Sequence, residues 1–176
     1  MITVVIGASG SGKSEYAENQ ALTYQGTHYY IATMEPYGEE GAARIARHHK
    51  LRKNKGFQTI ECYTHLEELQ FSSTDVVLLE CISNLTANEM FKEGTEKWNL
   101  EQRVLQEVWS IANQVGTLII VSNDVSMDGL SYGEDLIEYI RAMSYINKEL
   151  AQRADRLVEV VCGVPLIRKG GKDEFN

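Results

Sequence analysis

Eight consecutive residues, Gly7-Ala8-Ser9-Gly10-Ser11-Gly12-Lys13-Ser14, carry the most direct chemistry in this chain. Gly-x-x-x-x-Gly-Lys-Ser is the spacing of a loop whose backbone N–H groups turn inward on phosphate oxygens. Its lysine reaches the terminal phosphates, and its last hydroxyl ligates Mg²⁺. The apolar run Ile2–Ile6 before it reads as a strand, and Lys13–Tyr24 after it reads as a helix. That helix would add its positive N-terminal dipole to the site. A nucleoside triphosphate is therefore the expected ligand, and Lys13 the expected catalytic cation. A Gly/Ser turn matching by chance is the bland alternative, and the strand–loop–helix context speaks against it.

Such a loop needs a carboxylate at the end of another strand to hold the metal or its waters. Val76-Val77-Leu78-Leu79-Glu80 supplies four apolar residues and then an acid, at the point where a parallel strand meets the ligand edge of its sheet. Glu80 is thus paired with Ser14 as the expected metal site, the alternative being an ordinary surface or ion-paired glutamate. Glu61, ending a shorter strand-like run, is a weaker candidate, and Asp75 sits at the wrong end of its strand.

A second signal is cationic. Arg44, Arg47, Lys50, Arg52, Lys53 and Lys55 place six of the seventeen Lys and Arg residues within twelve positions, in a chain of net charge −8. Residues 39–52 have helical character, so Arg44, His48 and Arg52 share one face, while His49 falls on the side of Ala42, Ile45 and Ala46. Cationic neighbours disfavour imidazolium, which points to a neutral, nucleophilic His48 able to attack an α-phosphate. The alternatives are a merely phosphate-binding or surface histidine and a solvated charge run. His28 and His65 lack such surroundings and read as structural.

The elements that must position these groups alternate. Strand-like runs fall at 2–6, 28–33, 58–62, 75–81, 117–122 and 157–162. After Trp98, Leu100, Val104, Val108, Ile111 and Val115 recur at helical spacing, as do Leu136, Ile140, Met143, Asn147, Leu150 and Ala154, and both stripes read as core faces. This order implies βαβ units: an α/β, P-loop NTPase-like three-layer fold with a mainly parallel central sheet. The 176 residues, with two prolines and no low-complexity linker, fit a single nucleotide-binding catalytic domain with a frayed tail at about 169–176. Mean hydropathy of −0.28 is that of a soluble protein, and no run approaches membrane-spanning length. The first residues hold no basic segment followed by an apolar one, so the expected location is the cytoplasm. There, Cys62, Cys81 and Cys162 would be buried free thiols. The acidic net charge argues against nucleic-acid or membrane-surface partners.

Several stretches together resemble the bifunctional adenosylcobinamide kinase/adenosylcobinamide-phosphate guanylyltransferases of cobalamin biosynthesis. They are Gly7–Ser14, Tyr30-Ile31-Ala32-Thr33, Arg44-Ile45-Ala46-Arg47-His48 with Arg52, Thr59-Ile60-Glu61 and Leu78-Leu79-Glu80-Cys81. Val121-Ser122-Asn123, Asn147 with Leu150-Ala151, and Ala154-Asp155 leading to Gly163-Val164-Pro165-Leu166 continue the likeness to about residue 169. The resemblance implies that a triphosphate phosphorylates the aminopropanol hydroxyl of adenosylcobinamide. GTP would then guanylylate an enzyme histidine, and GMP would pass to adenosylcobinamide-phosphate, giving adenosyl-GDP-cobinamide. It makes His48 the GMP carrier and has Ala32, Thr33, Met34, His49, Lys50, Leu51, Arg52, Glu61 and Glu80 contact GTP. Its cofactors would be GTP, ATP and Mg²⁺, its other partner a corrinoid, and its assembly a homo-oligomer, a trimer by resemblance. The chain departs from the family pattern at Gly10, at Asp124-Val125-Ser126, at Ile140-Arg141, and by one inserted residue after Arg52 that leaves Phe57 near the usual tryptophan. The competing readings are a P-loop small-molecule kinase without guanylyl transfer and a non-catalytic nucleotide-dependent regulator.

Overall fold

A computed structural model describes residues 1–36, 55–91, 99–125 and 133–171. Seven strands form one sheet: β1 (Ile2–Gly7), β2 (His28–Ala32), β3 (Gln58–Glu61), β4 (Val76–Glu80), β5 (Thr117–Asn123), β6 (Arg156–Val161) and β7 (Val164–Lys169). Their order across the sheet is β3-β2-β4-β5-β1-β6-β7, every pair being parallel except the β6–β7 hairpin. Among the described residues the helices are α1 (Lys13–Ala21), α2 (Ile82–Phe91), α3 (Leu100–Ala112) and α4 (Glu134–Arg153), with a 3-10 turn at Leu66–Glu68.

The central strands are continuous apolar runs because both of their faces are covered. Val76 and Leu78 pack with Ala17 and Ala21 of α1 on one side, while Val77 and Leu79 pack with residues of α2, α3 and α4 on the other. Three layers result, as the alternation of strands and helices leads one to expect. The parallel strands all end at one edge, and there β1, β4 and β5 deliver Gly7, Glu80 and Asn123.

The structure differs from the sequence reading in four places. β7 is an added strand, absent from the strand-like runs of the sequence. It folds back through a two-residue turn, Cys162-Gly163, with φ of 51° and 82°, the left-handed pair that matches hairpin twist. Pro165 is tolerated because β7 is an edge strand. Leu136, counted in the apolar stripe of α4, is 42% exposed in the helix's first turn. The cysteines are not uniformly buried: Cys81 is, Cys62 is half-buried, and Cys162 lies exposed in the hairpin turn. Finally, Asn147 belongs to the α4 stripe for its hydrogen bonds rather than for apolar packing. Among the described residues, no helix is long and apolar enough to cross a membrane.

Candidate functional site

The loop between β1 and α1 is held in a single shape by its glycines and backbone bonds. Gly12 has φ of +89° and directly precedes the helix, a conformation that a Cβ would strain. At Gly7 a Cβ would lie 2.6 Å from both Ser11 Oγ and Val160 O, so only glycine lets the strand pass. Ser11 N–H donates to Ala8 O at 3.2 Å, and Gly163 N–H of the hairpin turn donates to Ser11 O at 2.8 Å. Lys13 is 7% exposed and its Nζ donates to Ala8 O at 3.1 Å, which folds the ammonium back over the loop.

Glu80 lies two strands from β1, yet it reaches the loop. Ser14 Oγ donates to Glu80 Oε1 at 2.7 Å, while Glu80 Oε2 is buried with no hydrogen-bond partner. Ser11 Oγ is buried and equally unpartnered. Unsatisfied buried oxygens are costly and uncommon. Here they converge on the N-terminus of α1, where the helix dipole favours anions and a cation would tie phosphate to carboxylate. A hydroxyl and a carboxylate oxygen are the hard donors a Mg²⁺ ion prefers. The residues present therefore fit the metal that the loop motif requires.

The Ala32–Met34 segment is fastened to the same carboxylate strand. Ala32 is in register with Glu61 on one side and Glu80 on the other. Thr33 N–H donates to Glu80 O at 3.0 Å, and Thr33 Oγ1 both donates to Cys81 O and accepts from Cys81 N–H at 2.8 Å. Asn88 Nδ2 on α2 donates to Thr33 O and to Tyr63 O at 2.8 and 2.9 Å. Glu61 is exposed and accepts the Tyr63 hydroxyl at 3.1 Å. Ala32, Thr33, Met34, Glu61, Glu80 and the loop thus lie along one edge of the sheet.

His48, His49, Lys50, Leu51 and Arg52 lie outside the described residues, and so do Arg44, Arg47 and Lys53. Of the basic segment only Lys55 is described, and it pairs with Glu18 of α1. His28 accepts structural duty, its Nε2 3.1 Å from both Ala21 O and Tyr24 O and its ring edge-on to Phe57.

Sequence reasoning passed over a polar relay beneath the edge. Ser122 Oγ donates to Asn147 Oδ1 at 2.6 Å, Asn147 Nδ2 donates to Asn123 O at 3.0 Å, and Asn123 Nδ2 donates to Ser83 Oγ at 2.6 Å. Asn123 ends an apolar strand just as Glu80 does, a signal that could have marked it. Tyr139 O–H donates to Ser83 O at 3.1 Å, and burial pushes its phenol to about 12. Burial also raises the Cys81 thiol, so near neutral pH both groups stay protonated and serve as spacers.

A phosphate loop braced at both ends, with a serine–carboxylate pair across a parallel sheet, defines a nucleotide-binding protein of the P-loop class. The chain belongs to the family described as cobinamide kinase/cobinamide phosphate guanyltransferase, whose model matches residues 3–167. It is 32% identical to the bifunctional adenosylcobalamin biosynthesis protein CobU of Escherichia coli strain K12, over 93% of this chain and 97% of that one. Identity to the CobP protein of the same description from Pseudomonas aeruginosa is 26%, over 97% of this chain and 98% of that one. Among solved structures, the flagellar accessory protein FlaH of Methanocaldococcus jannaschii aligns with a TM-score of 0.51 at 14% identity, over 97% of this chain and 80% of that one. That likeness concerns the fold alone.

Proposed function

We propose that the chain phosphorylates adenosylcobinamide with a nucleoside triphosphate and then transfers GMP from GTP to adenosylcobinamide-phosphate, giving adenosyl-GDP-cobinamide. The observation that carries this reading is the Ser14–Glu80 pair with its unpartnered carboxylate oxygen, in a chain whose relatives are named for both steps.

In the kinase step the amides of residues 7–14 cradle the phosphates and Lys13 leaves Ala8 O for a terminal phosphate oxygen. Both stabilise charge that builds on the transferring group. Ser14 and Glu80 would hold Mg²⁺, which supplies neutralisation of the phosphate oxygens. ATP and GTP are both candidate donors. In the second step a His48 ring nitrogen bonds to the α-phosphorus of GTP as the bond to the pyrophosphate oxygen breaks, and pyrophosphate departs. A phosphate oxygen of adenosylcobinamide-phosphate then bonds to that phosphorus, and the P–N bond breaks to free the imidazole. Ala32, Thr33, Met34, His49, Lys50, Leu51, Arg52 and Glu61 are assigned to the GTP site. The protein works in the cytoplasm as a homo-oligomer, a trimer in this reading.

Intact mass after incubation with GTP and Mg²⁺ tests the proposal. The expected result is an added GMP that is lost in acid, as a phosphoramidate is, and that His48→Ala abolishes. An unmodified wild-type protein, or an adduct that persists in His48→Ala, would overturn the histidine assignment.

A further inference from the structure

A cavity of about 470 Å³ opens at the ligand edge between β1, β5 and α4, outside the phosphate site. Its position follows from strand alternation. Val5 packs in the cluster with α1 and Val4 in the cluster with α4, so Ile6 turns to the α4 side, where it forms one wall with Val125 and Ile140. The cavity and the loop share a backbone joint, because Asp124 N–H donates to Gly7 O at 3.1 Å.

The terminal phosphate must lie between Lys13 and the Ser14–Glu80 pair. Its path from β1 toward β4 therefore crosses the end of β5, which Asp124 directly follows. Neighbouring strands are about 4.8 Å apart, so the mouth of the cavity flanks the transferring group. The cavity's own chemistry selects what enters. Asp124 and Arg141 oppose each other in charge, which favours neither a phosphate chain nor a free cation. Ser144 Oγ donates to Ile140 O, and Asn147 uses one N–H and one lone pair on Asn123 and Ser122. Both keep capacity for a neutral hydrogen-bonding ligand.

We propose that this cavity seats the short hydroxyl- and amide-bearing arm of the phosphoryl acceptor, the macrocycle remaining outside, a deepening that rests on the kinase reading above. The apolar wall takes the carbon skeleton of the arm, and Ser144 and Asn147 take its amide. Its hydroxyl faces Asp124. The hydroxyl oxygen bonds to the γ-phosphorus while the bond from that phosphorus to the bridging oxygen breaks. The nucleoside diphosphate leaves with that electron pair, and the hydroxyl proton passes to the Asp124 carboxylate.

The test compares full-length variants in steady-state phosphorylation of cobinamide. Ser144→Phe, at an exposed helix position, fills the cavity, and Ser144→Ala removes only the hydroxyl. The expected result is an acceptor KM raised roughly 10-fold or more by phenylalanine and by a smaller factor by alanine, with the triphosphate KM and the GMP adduct unchanged. Asp124→Asn should lower kcat while leaving the acceptor KM in place. An unchanged acceptor KM in folded Ser144→Phe overturns the assignment. A raised triphosphate KM overturns it too, in favour of a base pocket. Wild-type protein that phosphorylates no cobinamide overturns the kinase reading itself and takes this inference with it.

Discussion

Glu80 and Glu107 are carboxylates that folding withdraws from water, one at the ligand edge of the sheet and one on its flank. At the edge, Glu80 holds Ser14 with one oxygen and leaves the other with no partner. On the flank, Glu107 is 5% exposed on α3 and accepts Leu66 N–H at 2.8 Å, tying the 3-10 turn to the helix. Burial, together with the nearby Glu89 and Glu67 charges, lifts Glu107 to about 7 against the opposing Leu66 bond. The contrast separates two uses of a buried acid. One is left unsatisfied where a ligand can complete it; the other is completed by backbone and gains no chemistry from its setting. Edge substitutions should then damage activity and spare stability, and flank substitutions should do the reverse.

The largest effect is expected from Glu80→Gln, which keeps the shape but removes the charge beside Ser14. Phosphoryl transfer should fall roughly 10²–10³-fold, with the thermal midpoint close to wild type, since the side chain is only half-buried and the amide can still accept from Ser14. A lowered midpoint with intact kcat/KM would reverse the roles assigned to the two regions. Next comes Leu66→Ala. Leu66 is fully buried under α3, and its truncation should cost about 3 kcal/mol in urea unfolding while the specific activity of the folded fraction holds. The smallest effect sharpens the comparison through pH. Glu107 binds its proton more tightly folded than unfolded, so its contribution favours the folded state at low pH. Stability should decline as pH rises from the ordinary 4.5 to about 7 and then level off. Glu107→Gln, which can still accept from Leu66 N–H, should flatten that decline when unfolding is followed at pH 5 and pH 8. A slope identical to wild type would show that the acid titrates alike in both states.

Local rules made the ligand edge legible. A glycine-spaced loop, a lysine and an acid after four apolar residues are each visible within a few positions, and the fold brings Ser14 and Glu80 into hydrogen-bond contact. What escaped depends on partners far along the chain. Asn147 looks like one more member of a helical stripe until β5 is laid beside it and Ser122 and Asn123 are found within reach. The helix α2 has no clear amphipathic stripe, because Ser83, Thr86 and Glu89 are buried beside Ile82, Leu85 and Met90. β7 was obscured by Pro165 and by a left-handed turn that needs no asparagine. Leu136 shows the converse, an apolar residue on the right face but one turn too early to reach the core.

The bond from Gly163 N–H to Ser11 O has a thermodynamic consequence. Fixing a free backbone residue costs roughly 1–2 kcal/mol, and that ordering is here completed when the chain folds. An arriving anion meets donors already aimed, so a larger share of its contact energy is left to appear as affinity.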